Sequence, residues 1–412
     1  MRLSPRPWSL LVAAGALGVG CYAGASGSGD AGRDAGEDLR QDAASSGARP
    51  DSDSDAGFTE VIEADLCGSL DCGAGSCDAV TGGCVCPAAQ FFDGRGCAQV
   101  MPCLADGGCP DRCPLPRVQA LDVVRGDEIL QFETVEGATL EVGVAPDASA
   151  AQPDKWMRAT QIAMAAFVGQ RVRVFARIES AECMPVGFLS RVYDVREAYP
   201  GAATEPGSPA VHMDDARVAA WASEVIDYTP GADVGAQWRD ADQALGRAEG
   251  TSADVVVLGN GGSITLGFGT TIADGEGAEL AVFENGFSSN FLELARIEVS
   301  SDGVHFVAFD GASRHQQPVA PQGVIAPEQL HGFAGGYQRG YGSPFDFALL
   351  RQHPAVVAGQ LALQSVTHVR VVDIIGDGSA RDAFDRVIYD PYPNMDTGGF
   401  DLDAVAVLEP AP

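Results

Sequence analysis

The sequence predicts a mostly β protein whose largest part is a C-terminal antiparallel β-sandwich of the jelly-roll kind. From Trp221 to Leu408 short, β-branched apolar runs recur: DVVVLGNGG, SITLGF, ELAVFE, ELARIEVS, VHFVAF, HVRVVDII and FDLDAVAVL. Gly, Asp and Asn punctuate them, and no pattern of helical period intervenes, which favours a sandwich over alternating strands and helices. Ahead of that segment lie a cysteine-dense stretch and a second, shorter group of strand-like runs. A chain of 412 residues with this unevenness is expected to hold several folded units.

The formal net charge of −31, with 26 Lys and Arg against 57 Asp and Glu, excludes nucleic acid as the expected partner, since phosphate contacts need clustered cations. It suits an extracytoplasmic surface or sites for divalent cations. Residues 1–21 have the layout of a secretory signal: Arg2 and Arg6 precede an apolar run, Trp8 to Leu17, too short to cross a bilayer. The run ends LGVGC, which resembles a bacterial lipoprotein signal. That resemblance implies that Cys21 becomes the lipidated first residue, although Gly18 stands where Leu is preferred. Ala23-Gly24-Ala25 offers an ordinary small-x-small cleavage site as the alternative. Either way ten of the eleven cysteines remain, an even number suited to an oxidising compartment. The expected location is exported, at the outer membrane or cell surface, with the lipid as the only link to the membrane.

Residues 22–65 are Gly, Ala, Ser and Asp with almost no large apolar side chains, so they cannot offset their ordering entropy and read as a disordered acidic linker. Residues 66–113 open with the spacing C-x4-C-x4-C-x6-C-x-C-x10-C, from Cys67 to Cys97. A segment this short needs crosslinks to fold, each contributing about 2–4 kcal/mol. Zinc fits less well, because Cys84-x-Cys86 is too close for the usual ligand pair and no His lies nearby. The spacing resembles an EGF-like module, which implies the pairs Cys67–Cys77, Cys72–Cys84 and Cys86–Cys97. Fifteen pairings are possible from spacing alone. Calcium-binding modules of that type carry acids before the first cysteine, where this chain has only Glu60, Glu63 and Asp65, so a disulfide-stapled spacer is the favoured expectation. Cys103, Cys109, Cys113 and Cys183 are left, and one of the first three is expected to reach Cys183.

Residues 114–198 read as a small β-rich domain, a barrel or an α+β unit. Its strands are ALDVV, EILQFETV, ATLEVGV, RVRVFARI and GFLSRVYDV. A helix is expected from Lys155 to Val168, where Trp156, Ile162, Ala166 and Phe167 recur at roughly helical spacing. Arg125-Gly126-Asp127 reads as a turn between strands, with cell adhesion as the lesser alternative. Trp156 is expected to pack in the core or at a hinge, with a ligand platform as the lesser alternative.

A Pro- and Gly-punctuated stretch, Tyr199 to Ala210, opens the last domain, residues 199–412. Gly259-Asn260-Gly261-Gly262 follows a strand but precedes another strand and not a helix, so it reads as a hairpin turn and not a phosphate cradle. Ser301-Asp302-Gly303 is a second hairpin signal. ALG at 244–246 and the strand pair IEVSSDGVHF resemble the galactose-binding, discoidin-like jelly rolls. WASEV, FENGF, GYGSPFDF, VDIIGDG, YDPYP and GFDLDAV together resemble a family of bacterial secreted or cell-surface proteins, many with PEP-CTERM or other anchoring signals. That family brings no established activity.

In the last strand, alternation places Asp401 and Asp403 on one face with Val405 and Val407, and Phe400, Leu402, Ala404 and Ala406 on the other. Carboxylates two apart lie about 7 Å from each other, which permits joint ligation of a hard cation such as Ca2+. Asp373, Asp377 and Asp382 around IIGDGSARD, and Glu284 in FENGF, add candidates. The alternative for all of them is capping of turns. Tyr337, Tyr341, Phe345, Tyr389 and Tyr392 fall in Gly- and Pro-rich sequence, where rings can stack on a sugar or close the ends of the sandwich.

The six histidines form no zinc-hydrolase spacing, no G-x-S-x-G elbow is present, and carboxylates are too abundant to single out a glycosidase pair. The chain is therefore expected to be no enzyme. The leading expectation is a surface lipoprotein whose sandwich binds an extracellular ligand, foremost a glycan, with calcium as a structural cofactor. The alternatives are a structural or adhesion protein with a protein partner, and a surface component of small-nutrient uptake.

Overall fold

The computed structural model describes residues 113, 115–134, 136–180, 188–232, 234–394 and 397–409, together with the backbone pairing of four short strands between 76 and 99. The signal, the lipidation site at Cys21, the acidic linker and the predicted cysteine pairs lie outside the described residues. The four short strands make two antiparallel pairs, β1 (Ser76–Asp78) with β2 (Gly83–Val85), and β3 (Gln90–Phe92) with β4 (Cys97–Gln99). Cys113 is buried and disulfide-bonded. No helix among the described residues is long and apolar enough to cross a membrane.

The middle unit holds β5 (Val123–Arg125), β6 (Ile129–Gln131), β7 (Thr139–Ala145), β8 (Met157–Arg158), β9 (Gln161–Ala163), β10 (Arg171–Glu179) and β11 (Leu189–Arg196). Five of them form a sheet in the order β5-β11-β10-β7-β8, parallel only between β5 and β11, and β6 pairs with β9. Alternation along β10 buries Val172, Val174, Ala176 and Ile178 against Val142, Leu130 and Tyr193. The helix expected from Lys155 to Val168 is replaced by β8, β9 and one 3-10 turn, Met164–Phe167. Ile162 and Met164 both point inward, a period of two, and the Met164 amide donates to the Glu128 carbonyl at 3.1 Å. Pairing with β6 thus consumes the hydrogen bonds that a helix would have needed. Trp156 packs edge-on against Phe175 and Phe188, with the Arg177 guanidinium 4.3 Å from its ring. Asp127, in the turn between β5 and β6, is held by Arg125 and Arg314.

The sandwich follows: β12 (Val211–His212), β13 (Val218–Trp221), β14 (Glu224–Thr229), β15 (Val256–Val257), β16 (Ser263–Ile272), β17 (Leu280–Glu284), β18 (Ala295–Ser300), β19 (Val307–Ala308), β20 (Ala312–Ser313), β21 (Leu330–His331), β22 (Tyr341–Phe345), β23 (Val366–Asp373) and β24 (Asp401–Leu408). One antiparallel sheet runs β12-β22-β17-β24-β13, with β15 also on β24; the other runs β14-β16-β23-β18-β19. Val256, Leu280, Val282, Leu402 and Val405 from the first sheet meet Ile264, Leu266, Ile297, Val299 and Val371 from the second. Each such buried side chain contributes about 1.5–3 kcal/mol relative to exposure.

Two sequence expectations change here. The turn at Gly259 to Gly262 is no hairpin, because β15 belongs to the first sheet and β16 to the second. It hands the chain across the sandwich, and Gly259 and Gly261 take φ of 68° and 70°, a conformation side chains with a Cβ resist. The strict alternation expected along the last strand also fails. Phe400 and Leu402 face the inter-sheet core, but so do Val405 and Val407, while Ala404, Ala406 and Leu408 pack on the opposite side with Phe283. An extra residue in β24, where the partner register steps from Phe283↔Ala404 to Glu284↔Leu402, is a β-bulge that shifts the phase by one. Ser301-Asp302-Gly303 does join an antiparallel pair, β18 and β19, with Asp302 accepting from the Val304 and His305 amides at 2.8 Å each.

The middle unit and the sandwich share polar contacts. Arg386 bridges Glu128 at 3.0 Å and Asp382 at 2.8 Å, and the Ala120 amide donates to Asp310 at 2.6 Å. Asp382 is thereby committed to Arg386 and to backbone amides.

Candidate functional site

Five segments converge where β17 ends and β24 begins: the FENGF turn, the residues leading into β18, the end of β23, the YDPYP loop and the Gly399–Asp401 approach. They bring Glu284, Glu293, Asp373, Asp390 and Asp401 together, all buried. Each spends at least one oxygen on a local hydrogen bond. Glu284 Oε2 accepts from the Gly286 amide at 2.8 Å, Glu293 Oε1 from Gly399 at 2.9 Å, and Asp390 Oδ2 from Leu294 at 2.6 Å. Asp401 Oδ2 accepts from the Asn285 side-chain amide at 3.1 Å. Asp373 is the only one of the five with both oxygens bonded to backbone amides, Oδ1 to Phe400 and Oδ2 to Gly261, each at 2.8 Å.

What is left over is unusual. Glu284 Oε1, Asn285 Oδ1, Asp390 Oδ1 and Asp401 Oδ1 are buried without a hydrogen-bond partner. A buried polar atom in that state costs about 1–3 kcal/mol and calls for an explanation. Among the described residues no Lys, Arg or His forms an ion pair with any of the five acids. Burial, and then repulsion from Glu293 and Asp401, holds the Glu284 carboxyl well above the usual range. Asp390 and Asp401 are raised well above it by burial and by the neighbouring charges of Glu293 and Asp373. Burial lifts Glu293 to about 8 and Asp373 to about 6.

A cavity of about 480 Å3 adjoins this cluster, within the usual size of a small-molecule pocket. Asn285, Glu293 and Asp401 supply its acidic side, and Trp238, Phe287, Phe291, Pro321 and Pro393 supply apolar walls. Phe287 is 59% exposed, and its ring lies 5.8 Å from that of Phe291. Trp238 and Asn394 also line the cavity, and their Nε1 and Nδ2 are buried without a hydrogen-bond partner.

The candidate residues read from sequence distribute unevenly. Glu284, Asp373 and Asp401 meet in the cluster. Asp403 stands apart, because the bulge separates it from Asp401 and its two oxygens hold the Glu249 and Gly250 amides at 3.0 and 2.9 Å. Asp377 is exposed and accepts from the Ser379 amide at 2.8 Å. The four tyrosines are not gathered in one patch. Tyr337 lines another cavity, of about 470 Å3, shared with residues of the middle unit. Tyr341 packs edge-on against His212, and Tyr389 packs beside Ile374 and Ile388. Tyr392 is exposed next to Pro393. Sequence reasoning missed Glu293, Asp390, Trp238, Phe287 and Phe291. Phe287 closes FENGF and Asp390 sits in YDPYP, so the signal lay inside phrases already singled out.

A second acidic group lies at the start of β17, where Asp274, Glu279 and Asp346 bring carboxylate oxygens within 4.8 Å of one another. Arg351 pairs with Asp274 at 2.6 and 3.0 Å, and Glu279 accepts from the Gly275 and Phe347 amides at 2.8 and 2.7 Å.

No family model and no curated protein matches the chain. Among solved structures, a SusE-like protein aligns over 72% of this chain and 97% of its own, at 8% identity and a TM-score of 0.27. A structure titled for carbohydrate-binding modules of the β-sandwich superfamily aligns over 73% of this chain and 100% of its own, at 10% identity and a TM-score of 0.19.

Proposed function

We propose that this chain is a non-enzymatic cell-surface protein that binds a carbohydrate in the cavity between Trp238, Phe287, Phe291 and the acidic cluster. One observation carries the reading. Donor-bearing side chains, Trp238 and Asn394, and acceptor-bearing side chains, Asn285 and Asp401, line one aromatic-walled cavity. A hydroxyl both donates and accepts, so a hydroxyl-rich ligand can satisfy both kinds, while the aromatic rings take the apolar faces of sugar rings. Lipid attachment through Cys21 belongs to the same reading, with the acidic linker holding the sandwich clear of the membrane.

A glycan array probed with the mature chain and with Trp238→Ala tests it. Specific glycans retained by the parent and lost by the variant support the reading. Silence across the array, or release of reducing ends from a bound glycan, overturns it.

A further inference from the structure

We propose that the cleft between β10, β11 and the 346–352 turn is an oxyanion site, where Arg171, Arg173 and Arg191 bind a carboxylate, sulfate or phosphate group of a small ligand. The cleft lies where the middle unit meets the sandwich and measures about 500 Å3, within the size range of small-molecule pockets. Five arginines border it: Arg171, Arg173, Arg191, Arg196 and Arg351. The chain as a whole has a net charge of −31, with 26 Lys and Arg against 57 Asp and Glu, so five cations on one cleft run against its composition.

Charge balance divides these arginines. Arg196 is paired with Asp194 at 2.6 Å, and Arg351 with Asp274 at 2.6 Å. Among the described residues, Arg171, Arg173 and Arg191 form no ion pair. Two of the three are nevertheless held in place, by neutral acceptors. Arg173 donates through Nε to the Ala148 carbonyl at 2.6 Å and through Nη1 to the Ser190 hydroxyl at 3.0 Å. Arg191 Nη1 donates to the Leu349 carbonyl at 2.9 Å. A carbonyl or hydroxyl orients a guanidinium without cancelling its charge. Arg171 is exposed and stands two places before Arg173 on β10, so both side chains leave the same face of the strand, about 7 Å apart. Burial lowers the Arg173 pKa, Asp147 opposes that, and the neighbouring charge of Arg171 adds to it.

The acids on the cleft have partners of their own. Asp122 is paired with His331 at 2.6 Å, Asp194 with Arg196, and Asp346 accepts from the Ala348 amide at 2.8 Å beside Arg351. The surplus is therefore positive. A guanidinium presents its N–H donors in a planar fork that matches two oxygens of one oxyanion, and Arg is the residue suited to such bidentate recognition. Ser190 and Gln352 add neutral polar groups on the same cleft. Among the described residues no aromatic ring lines it, so charge and not stacking carries recognition, unlike in the Trp238 cavity. The proposal does not rest on the carbohydrate reading above.

Calorimetric titration of the mature chain with inorganic sulfate, inorganic phosphate and glucuronate, each in low salt, tests it. At least one of the three is expected to bind, with one site per chain. Sulfate or phosphate binding without glucuronate assigns the site to tetrahedral oxyanions, and the reverse assigns it to carboxylates. Arg171→Gln and Arg173→Gln are each expected to weaken that binding by roughly tenfold, while Arg381→Gln, outside the cleft, binds as the parent does. Arg171→Gln alters an exposed side chain without an ion pair, so its urea unfolding midpoint is expected to stay at the parent's and its loss of affinity to report on the site. No heat from any of the three anions at millimolar concentration overturns the site. Parental affinity in either Arg171→Gln or Arg173→Gln also overturns it.

Discussion

Strand β17 runs between two acidic groups that solve the same electrostatic problem differently. Before its first residue, Asp274, Glu279 and Asp346 crowd together, and Arg351 supplies a guanidinium while backbone amides take the Glu279 oxygens. About 17 Å along the strand, Glu284 opens a group of buried carboxylates with no cationic side chain, and it leaves oxygens unpaired. The first group is neutralised by a guanidinium. The second is left to burial, which raises its carboxyls and favours their protonated forms.

Removing the cation of the first group should produce the largest effect. Arg351→Met leaves Asp274 buried and unpaired and is expected to destabilise the chain by about 3–5 kcal/mol in urea unfolding. Loss of under about 1 kcal/mol would mean that Arg351 is ornamental and the contrast between the groups false. Next comes pH. Burial raises Glu279 from 4.5 to about 7 and Asp346 from 3.8 to about 6. Between each pair of values the folded chain keeps a proton that the unfolded chain has released. Their contribution to stability is therefore complete below the unfolded values and is lost as pH rises through 6 and 7. Glu279→Gln should flatten that decline, by at most about 3 kcal/mol; an unchanged slope would assign it elsewhere.

The second group should respond to pH with the same sign, because burial raises its carboxyls too. Glu284→Gln keeps the shape of the protonated carboxyl and is expected to flatten the fall of stability with rising pH in urea unfolding. An unchanged slope would show that Glu284 does not carry it. Trp238→Ala is expected to cost about 1–2 kcal/mol of glycan affinity, roughly tenfold, with unfolding unchanged. The smallest change is Asp377→Asn, within about 0.5 kcal/mol in stability, since only one exposed cap is altered.

Much of this was legible residue by residue. Ser301-Asp302-Gly303 announced its hairpin because the turn chemistry is local, and the alternation of Val172, Val174, Ala176 and Ile178 announced a strand with one buried face. Glu284, Asp373 and Asp401 could be nominated because each sits at one end of an apolar run. Three things were not legible. The bulge in β24 that parts Asp403 from Asp401 depends on how Glu284 pairs across the sheet. The turn at Gly259 looked like a hairpin because its glycines fit one, and only pairing of β15 with β24 shows that it crosses between sheets. From Lys155 to Val168 a weak helical spacing competed with the two-residue period of Ile162 and Met164, and β6 decided between them.

By itself the sequence determined the β character of the sandwich, its turn chemistry and the supply of carboxylates, because these follow from side-chain period and backbone preference within a few residues. Tertiary structure alone decided which carboxylates share a site and which are neutralised. Arg351 meets Asp274 from 77 positions away, and Asn285 reaches Asp401 across 116. A charge is balanced by what lies within a few ångströms, and over separations of that size only the fold determines what lies there.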